Sequence, residues 1–276
     1  MAARPAAPPE PVKSPIQLPA RLSPSALGRY RICPKSFLLT DIERAPRGND
    51  ASPILVQGNA VHHALERFFG LPQEDRKPEN LERALRSVWP EHRKRDAFSS
   101  REEEASFGRG ALEMLRDYGD RFDLTAEPLA REQWIGLRLS GIQLYGKIDR
   151  VDRSVRGGLD LIDYKSGRRL IEASDIPQEP AVQVYLLGAE EKFQLPVERV
   201  RFIYLALQQE VVWEPEREDV EALRERLLRT LAELRADQDF EAQPGDHCRF
   251  CPAALRCPDR QRVALDELVP VEALPF

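Results

Sequence analysis

Four cysteines are the whole thiol inventory of this 276-residue chain, and their placement constrains the fold more than any other feature. Three crowd near the C-terminus as Cys248-x2-Cys251-x5-Cys257, while Cys33 stands alone near the start. This distribution predicts one four-thiolate site that staples the two ends together. Four clustered thiolates hold zinc or an iron–sulfur cluster, and the spacing by itself leaves both open. In either case the intervening stretch has to fold so that its ends meet.

No apolar run approaches the roughly 20 residues of a membrane span, and the N-terminus lacks the apolar stretch of a secretory signal. The expectation is a cytoplasmic, reducing setting with no membrane partner, where clustered cysteines act as metal ligands rather than disulfides. A chain of this length buries a full core without a staple. The net charge of −5 argues against a globally basic nucleic-acid binder but leaves room for a local basic patch.

Residues 1–20, rich in proline and alanine, read as a disordered lead, 21–260 as a single domain and 261–276 as a tail. Ser23-Pro24 offers an N-cap followed by proline at the first helical position, opening a helix towards Cys33 that Pro34 ends. Val61, Leu65, Phe68 and Phe69 recur at helical spacing after Gly58, and further helices are predicted near 78–89 and 101–122. After Pro128 the period changes to two, which predicts strands at 134–140, 142–151 and 159–165 in an antiparallel meander turned at Gly157-Gly158. A helix over 180–193, strands at 200–207 and 211–213, and a charged helix over 216–236 complete the body. The fold class is therefore α/β: a mixed central sheet of about four or five strands flanked by helices, with a helical, cysteine-bearing flank.

Side chains alternate along a strand, so Asp163 and Lys165 share a face. An isolated Asp-x-Lys is more often a surface ion pair. The hairpin partner, however, carries Gly146-Lys147-Ile148-Asp149-Arg150-Val151-Asp152, which brings Asp149 towards Asp163. Paired carboxylates repel unless a cation or proton sits between them, and oxygen ligands suit magnesium or manganese. His62 offers a nitrogen ligand from the helix after Gly58, while His63 points about 100° away. A metal beside a lysine is the chemistry of phosphodiester hydrolysis.

In this order, Gly58-x3-His62-x2-Leu65-Glu66, Gly146-x2-Asp149-Arg150-x-Asp152 and Asp163-Tyr164-Lys165-Ser166-Gly167 resemble the RecB-type branch of the PD-(D/E)xK nuclease superfamily. Leu22-Ser23-Pro24-Ser25-Ala26-Leu27 with Tyr30, Cys33-Pro34 and Phe37 is similar to the opening helix of its iron–sulfur members. The x2, x5 cysteine spacing is similar to that of AddB-like nucleases and the small CRISPR-associated exonucleases. The resemblance spans residues 22 to 258. It implies a restriction-endonuclease-like core and a [4Fe–4S] cluster on Cys33, Cys248, Cys251 and Cys257, with structural zinc as the alternative. It also implies a Mg2+ or Mn2+ ion on His62, Asp149, Asp163 and the Tyr164 carbonyl, with Lys165, Asp163 and Asp149 as catalytic groups. One departure concerns the helix that follows. The family places Gln four residues before Tyr, whereas here Ala181 precedes Tyr185 by four and Gln183 by two, so Tyr185 is the stronger substrate-side residue, followed by Gln183 and Arg150.

The expected substrate is single-stranded DNA cut from an end, in DNA repair or recombination. CRISPR pre-spacer processing beside an integrase is a near variant, and a non-catalytic iron–sulfur binding module recruited to a helicase is the reading from another class. No GxxxxGK[ST] phosphate loop occurs, so the chain carries no helicase motor. Arg21, Arg29, Arg31 and Lys35 on one side of the staple and Arg249, Arg256, Arg260 and Arg262 on the other would form a basic rim, with Arg168-Arg169 beyond Lys165. His247, beside Cys248, is expected on the loop surface.

Overall fold

The computed structural model describes residues 16–44, 52–93 and 96–262, with the side chains of 261–262 excepted. The remainder of the predicted lead and tail, and the Arg262 side chain, lie outside the described residues. No helix among the described residues is long and apolar enough to cross a membrane.

A short strand β1 (Arg21–Leu22) leads into helix α1 (Pro24–Ile32), capped where the Ala26 N–H donates to Ser23 Oγ at 3.2 Å. Cys33 breaks the helix in extended backbone, and Pro34 then opens α2 (Pro34–Phe37), which runs into a π-helical turn over Leu38–Ile42. Helix α3 (Pro53–Phe68) starts five residues before Gly58. Ser52 accepts from the Leu55 N–H and Pro53 occupies the first turn, the same start signal as in α1. Helices α4 (Pro78–His92) and α5 (Arg101–Arg121) follow, the latter with Glu102, Glu103 and Glu104 on its positive end.

Strands β2 (Pro128–Leu139) and β3 (Ile142–Arg153) form a hairpin closed at Ser140-Gly141, and β4 (Leu159–Lys165) returns antiparallel to β3. Helix α6 (Pro180–Phe193) crosses over to β5 (Val197–Tyr204), which lies parallel to β4. Strand β6 (Gln209–Trp213) and helix α7 (Arg217–Ala236) complete the body. The sheet has six strands, one more than the periodicity predicts. The extra one is β1, whose two residues are too few to show any alternation. Strand β5 begins three residues before the predicted Val200 and ends at Tyr204, because Leu205–Gln208 turn back into β6.

Both faces of the sheet are covered. On one, α1, α6 and α7 pack Leu27, Val184, Leu187, Leu227 and Leu231 against Leu144, Ile148, Leu161 and Phe202. On the other, α3, α4 and α5 pack Leu65, Phe68, Leu85, Leu115 and Tyr118 against Ile162, Tyr164 and Ile203. Consecutive residues Leu161 and Ile162 thus enter opposite cores, which is why β4 reads as a nearly unbroken apolar run.

The register opens a break in the sheet. β2 covers one edge of β3 from Ile142 to Asp152. On the other edge β1 pairs only with Gln143 and Leu144, and β4 pairs only from Arg150 onward. Between these short pairings the edge of β3 from Tyr145 to Asp149 faces a cleft.

Candidate active site

Asp149 stands where β3 and β4 part. Its Oδ2 accepts the Tyr164 amide N–H at 2.7 Å, so a carboxylate takes the place of the missing ladder bond, and its Oδ1 lies 3.2 Å from His62 Nδ1. His62 is aimed here because α3 rests on the turn after β4. A Cβ on Gly58 would sit 2.8 Å from Ser166 Oγ, so the glycine lets the helix approach that turn closely one helical turn before His62 without turning the serine hydroxyl aside. Gly146 serves the same purpose on β3, where a Cβ would lie 2.5 Å from Tyr185 Cε1 and push the α6 tyrosine out of the cleft.

Asp163 and Lys165 share a face as predicted, and Lys165 Nζ lies 2.7 Å from Asp163 Oδ2 and 4.4 Å from the centre of the Phe202 ring. Burial and the nearby Asp149 carboxylate raise the Asp163 pKa, with Lys165 pulling against them. Burial disfavours the Lys165 ammonium, but Asp163 and Asp149 outweigh it and the lysine pKa rises, so it stays cationic at neutral pH. Burial likewise lowers the His62 pKa, and Asp149, Asp163 and Glu132 reverse the sign and raise it. The carboxylates of the cleft thus hold protons and cations close to them.

Glu132 completes the cluster, and the sequence reading missed it. The ligand atoms of His62, Glu132 and Asp149 all lie within 4.8 Å of one another, the set of donors among the described residues best placed for one small cation. Register places Glu132 of β2 opposite Asp149, since Arg131 pairs with Arg150 and Gln133 with Ile148. Its φ of 44° marks an irregular strand there, so the alternating rhythm that flags a strand begins only at Trp134. The one available signal was a carboxylate two residues before that rhythm starts. Glu132 also pairs with Lys147 across the hairpin. Asp163 adjoins this cluster and pairs with Lys165, and Tyr164 enters through its N–H, which Asp149 accepts.

Of the residues expected to meet substrate, Tyr185 lines a cavity of about 490 Å3 together with Asp163, Lys165, Trp134 and Tyr145. Burial and the Asp163 and Asp149 carboxylates raise its pKa, so it stays a neutral phenol. Gln183 and Arg150 are corrected to structural residues. Gln183 is 1 % exposed and its amide holds the Pro177 carbonyl at 3.1 Å. Arg150 is buried, pairs with Asp152 and lies 3.9 Å over the Phe69 ring. A second cavity of about 730 Å3 reaches Lys165 from the α3–α5 side and is lined by His62, Arg168 and Arg169. Two members of the predicted basic rim are spent elsewhere: Arg29 binds Asp41 through two bonds of 2.7 and 2.6 Å, and Arg31 donates to the Gln178 carbonyl at 2.7 Å.

Far along α1 the two cysteine-bearing segments do meet. Cys33, Cys248, Cys251 and Cys257 line one small cavity, all as free thiols, and His247 lines it too rather than facing only solvent. The Gln243 N–H donates to Cys33 Sγ at 3.4 Å, and Ser36 Oγ lies 3.3 Å from Cys251 Sγ. Phe240 stacks on Phe37 with centroids 6.1 Å apart and meets Tyr30 edge-on, while Tyr30 Oη donates to Asp237 at 3.2 Å.

No curated protein sequence matches the chain. Among solved structures, a candidate exonuclease from Eubacterium rectale superposes with a TM-score of 0.51 at 11 % identity, covering 84 % of this chain and 88 % of its own, a likeness of fold. A second structure, SSO0001, aligns at 13 % identity over 89 % of each chain with a TM-score of 0.40. The model of the PD-(D/E)XK nuclease superfamily matches residues 21–258, a span that holds β1 through β6, the cleft residues and all four cysteines. The chain belongs to the PD-(D/E)XK nuclease superfamily.

Proposed function

We propose that this protein is a metal-dependent exonuclease of the RecB-type branch that hydrolyses single-stranded DNA from an end, in repair or recombination. The observation that carries this reading is the convergence of His62, Glu132 and Asp149 beside the Asp163–Lys165 pair, where β3 runs uncovered between its pairings with β1 and β4. His62, Asp149 and Glu132, with Asp163 alongside, would hold a magnesium or manganese ion, which supplies Lewis acidity at the phosphate. Asp163 keeps Lys165 cationic and aimed into the cleft. Lys165 then donates to the phosphoryl oxygen on which negative charge grows as water adds to phosphorus and the sugar oxygen leaves. Arg168 and Arg169 on the wall of the larger cavity grip the backbone beyond it.

The four cysteines that line one cavity would hold a [4Fe–4S] cluster, with structural zinc as the alternative that the same four thiolates accept. The test uses anaerobically purified protein and end-labelled single-stranded DNA with manganese, which suits an imidazole ligand, or magnesium. Metal-dependent shortening absent in Lys165→Ala, from a brown protein with broad absorbance, is expected. Equal cleavage by Lys165→Ala would sink the mechanism, and a colourless, folded, zinc-bearing protein would retire the cluster.

A further inference from the structure

Trp134 and Tyr145 are large aromatic side chains left 58 % and 36 % exposed, and both line the cavity that contains Asp163 and Lys165. Burying such rings is strongly favourable, so leaving two of them at the mouth of a charged cleft calls for a partner. They form a pair. Trp134 stands opposite Lys147 in the β2–β3 register, and Tyr145 stands opposite Gly136, which has no side chain to separate them. The rings therefore meet diagonally, with centroids 6.0 Å apart and planes tilted by 31°. Lys147 Nζ lies 5.9 Å from the Trp134 ring and also pairs with Glu132. One face of the hairpin thus runs without a gap from the aromatic pair through Lys147 to the carboxylates of Glu132 and Asp149. Tyr145 and Asp149 are four residues apart on one strand, roughly 13 Å.

We propose that Trp134 and Tyr145 form a stacking platform for nucleobases of a single strand whose backbone is held at Lys147 and delivered to Asp163 and Lys165. The proposal rests on the nuclease reading above and extends it. A flat, exposed ring pair binds the faces of bases whatever their identity, which suits a non-sequence-specific enzyme. A base face is available only when the strand is unpaired, because in a duplex the faces are stacked on one another. The platform thereby selects single strands, while Lys147 binds one phosphate and completes the electrostatic grip.

The test measures binding of full-length protein in a Lys165→Ala background, which separates grip from cleavage. The probes are fluorescein-labelled oligothymidylate, an abasic strand of equal length and a blunt duplex. Trp134→Ala is expected to weaken oligothymidylate binding by about five- to 150-fold, the range for one stacked base. Tyr145→Ala is expected to fall in the same direction, and Trp134→Phe to retain most of the affinity. The abasic strand and the duplex should not distinguish these variants from the parent. Unchanged oligothymidylate binding by both alanine variants, or an equal loss on the abasic strand, overturns the platform. Cleavage assayed in parallel keeps the two ideas apart. If Lys165 proves dispensable the mechanism fails whatever the rings do, and if cleavage needs Lys165 but its KM ignores Trp134→Ala only the platform fails.

Discussion

At the break between β3 and β4, His62, Glu132, Asp149, Asp163 and Lys165 crowd ionisable groups into a partly open cleft, where each one shifts the proton affinity of its neighbours. Where the two cysteine-bearing segments join, Tyr30, Phe37 and Phe240 pack edge-on and stacked beside the four cysteines. The first region is held in place by its surroundings, through two close-packed glycines, an irregular residue in β2 and an interrupted ladder. The second joins residues more than two hundred positions apart, and closing so long a loop is costly unless strong contacts repay it. One chain therefore separates its chemistry from its fastening. Damage to one region is expected to leave the other largely intact.

The largest test of that separation is Lys165→Ala. Loss of the cation should slow cleavage of end-labelled single-stranded DNA by about 100- to 1,000-fold or more. The thermal midpoint should stay near that of the parent, since the lysine is one arm of a partly exposed pair. A large drop in midpoint would show that cleft and fastening are not separate. Cys251→Ser makes the converse cut: more than about 3 kcal/mol of unfolding free energy should be lost in urea, together with any metal the cavity holds. Unchanged stability would mean that the aromatic trio alone joins the ends.

Glu132→Gln keeps the side chain's shape and removes its charge. The manganese concentration for half-maximal cleavage should rise by about 10- to 100-fold with the maximal rate less affected, as measured by metal titration. An unaltered titration would reduce Glu132 to a partner for Lys147. The smallest effect is expected at Tyr30, whose pKa burial and Asp237 push up from 10.0 to about 12. A folded-state pKa above the unfolded value gives stability that is complete below pH 10 and is lost as pH rises towards 12. Tyr30→Phe should therefore cost about 1 kcal/mol at neutral pH, the worth of its hydrogen bond. Its deficit against the parent should shrink above pH 10, whereas a constant gap would mean that the phenol does not titrate with unfolding.

Local signals were readable where they are strong and short in range. Helix α6 spans the predicted 180–193 because Pro180 fits its first turn and the apolar pattern that follows is dense. The end of α1 at Cys33 was equally legible in the proline that follows it. Helix α3 starts earlier than read because Ser52-Pro53, its start signal, lies ahead of the apolar pattern at Val61 and Leu65. Gln183 looked like a surface polar residue near the site, yet its side chain turns inward to cap the Pro177 carbonyl, a choice made by the 173–178 turn packed beneath it.

By itself the sequence determined the identity of the reactive groups: the Asp-x-Lys pair, the aspartate on the preceding strand, the histidine after a glycine, and four thiols in a three-plus-one arrangement. Strand alternation and helix period are local rules, so these groups could be placed on their elements without knowledge of the fold. Only the tertiary structure decided that Glu132 joins them, that Arg29 and Arg150 are spent on Asp41 and Asp152, and that Trp134 stays exposed beside the cleft. Those outcomes depend on register, on an irregular backbone at Glu132 and on which partner reaches a charge first. Each is set by contacts between residues distant in the chain, which no local periodicity encodes.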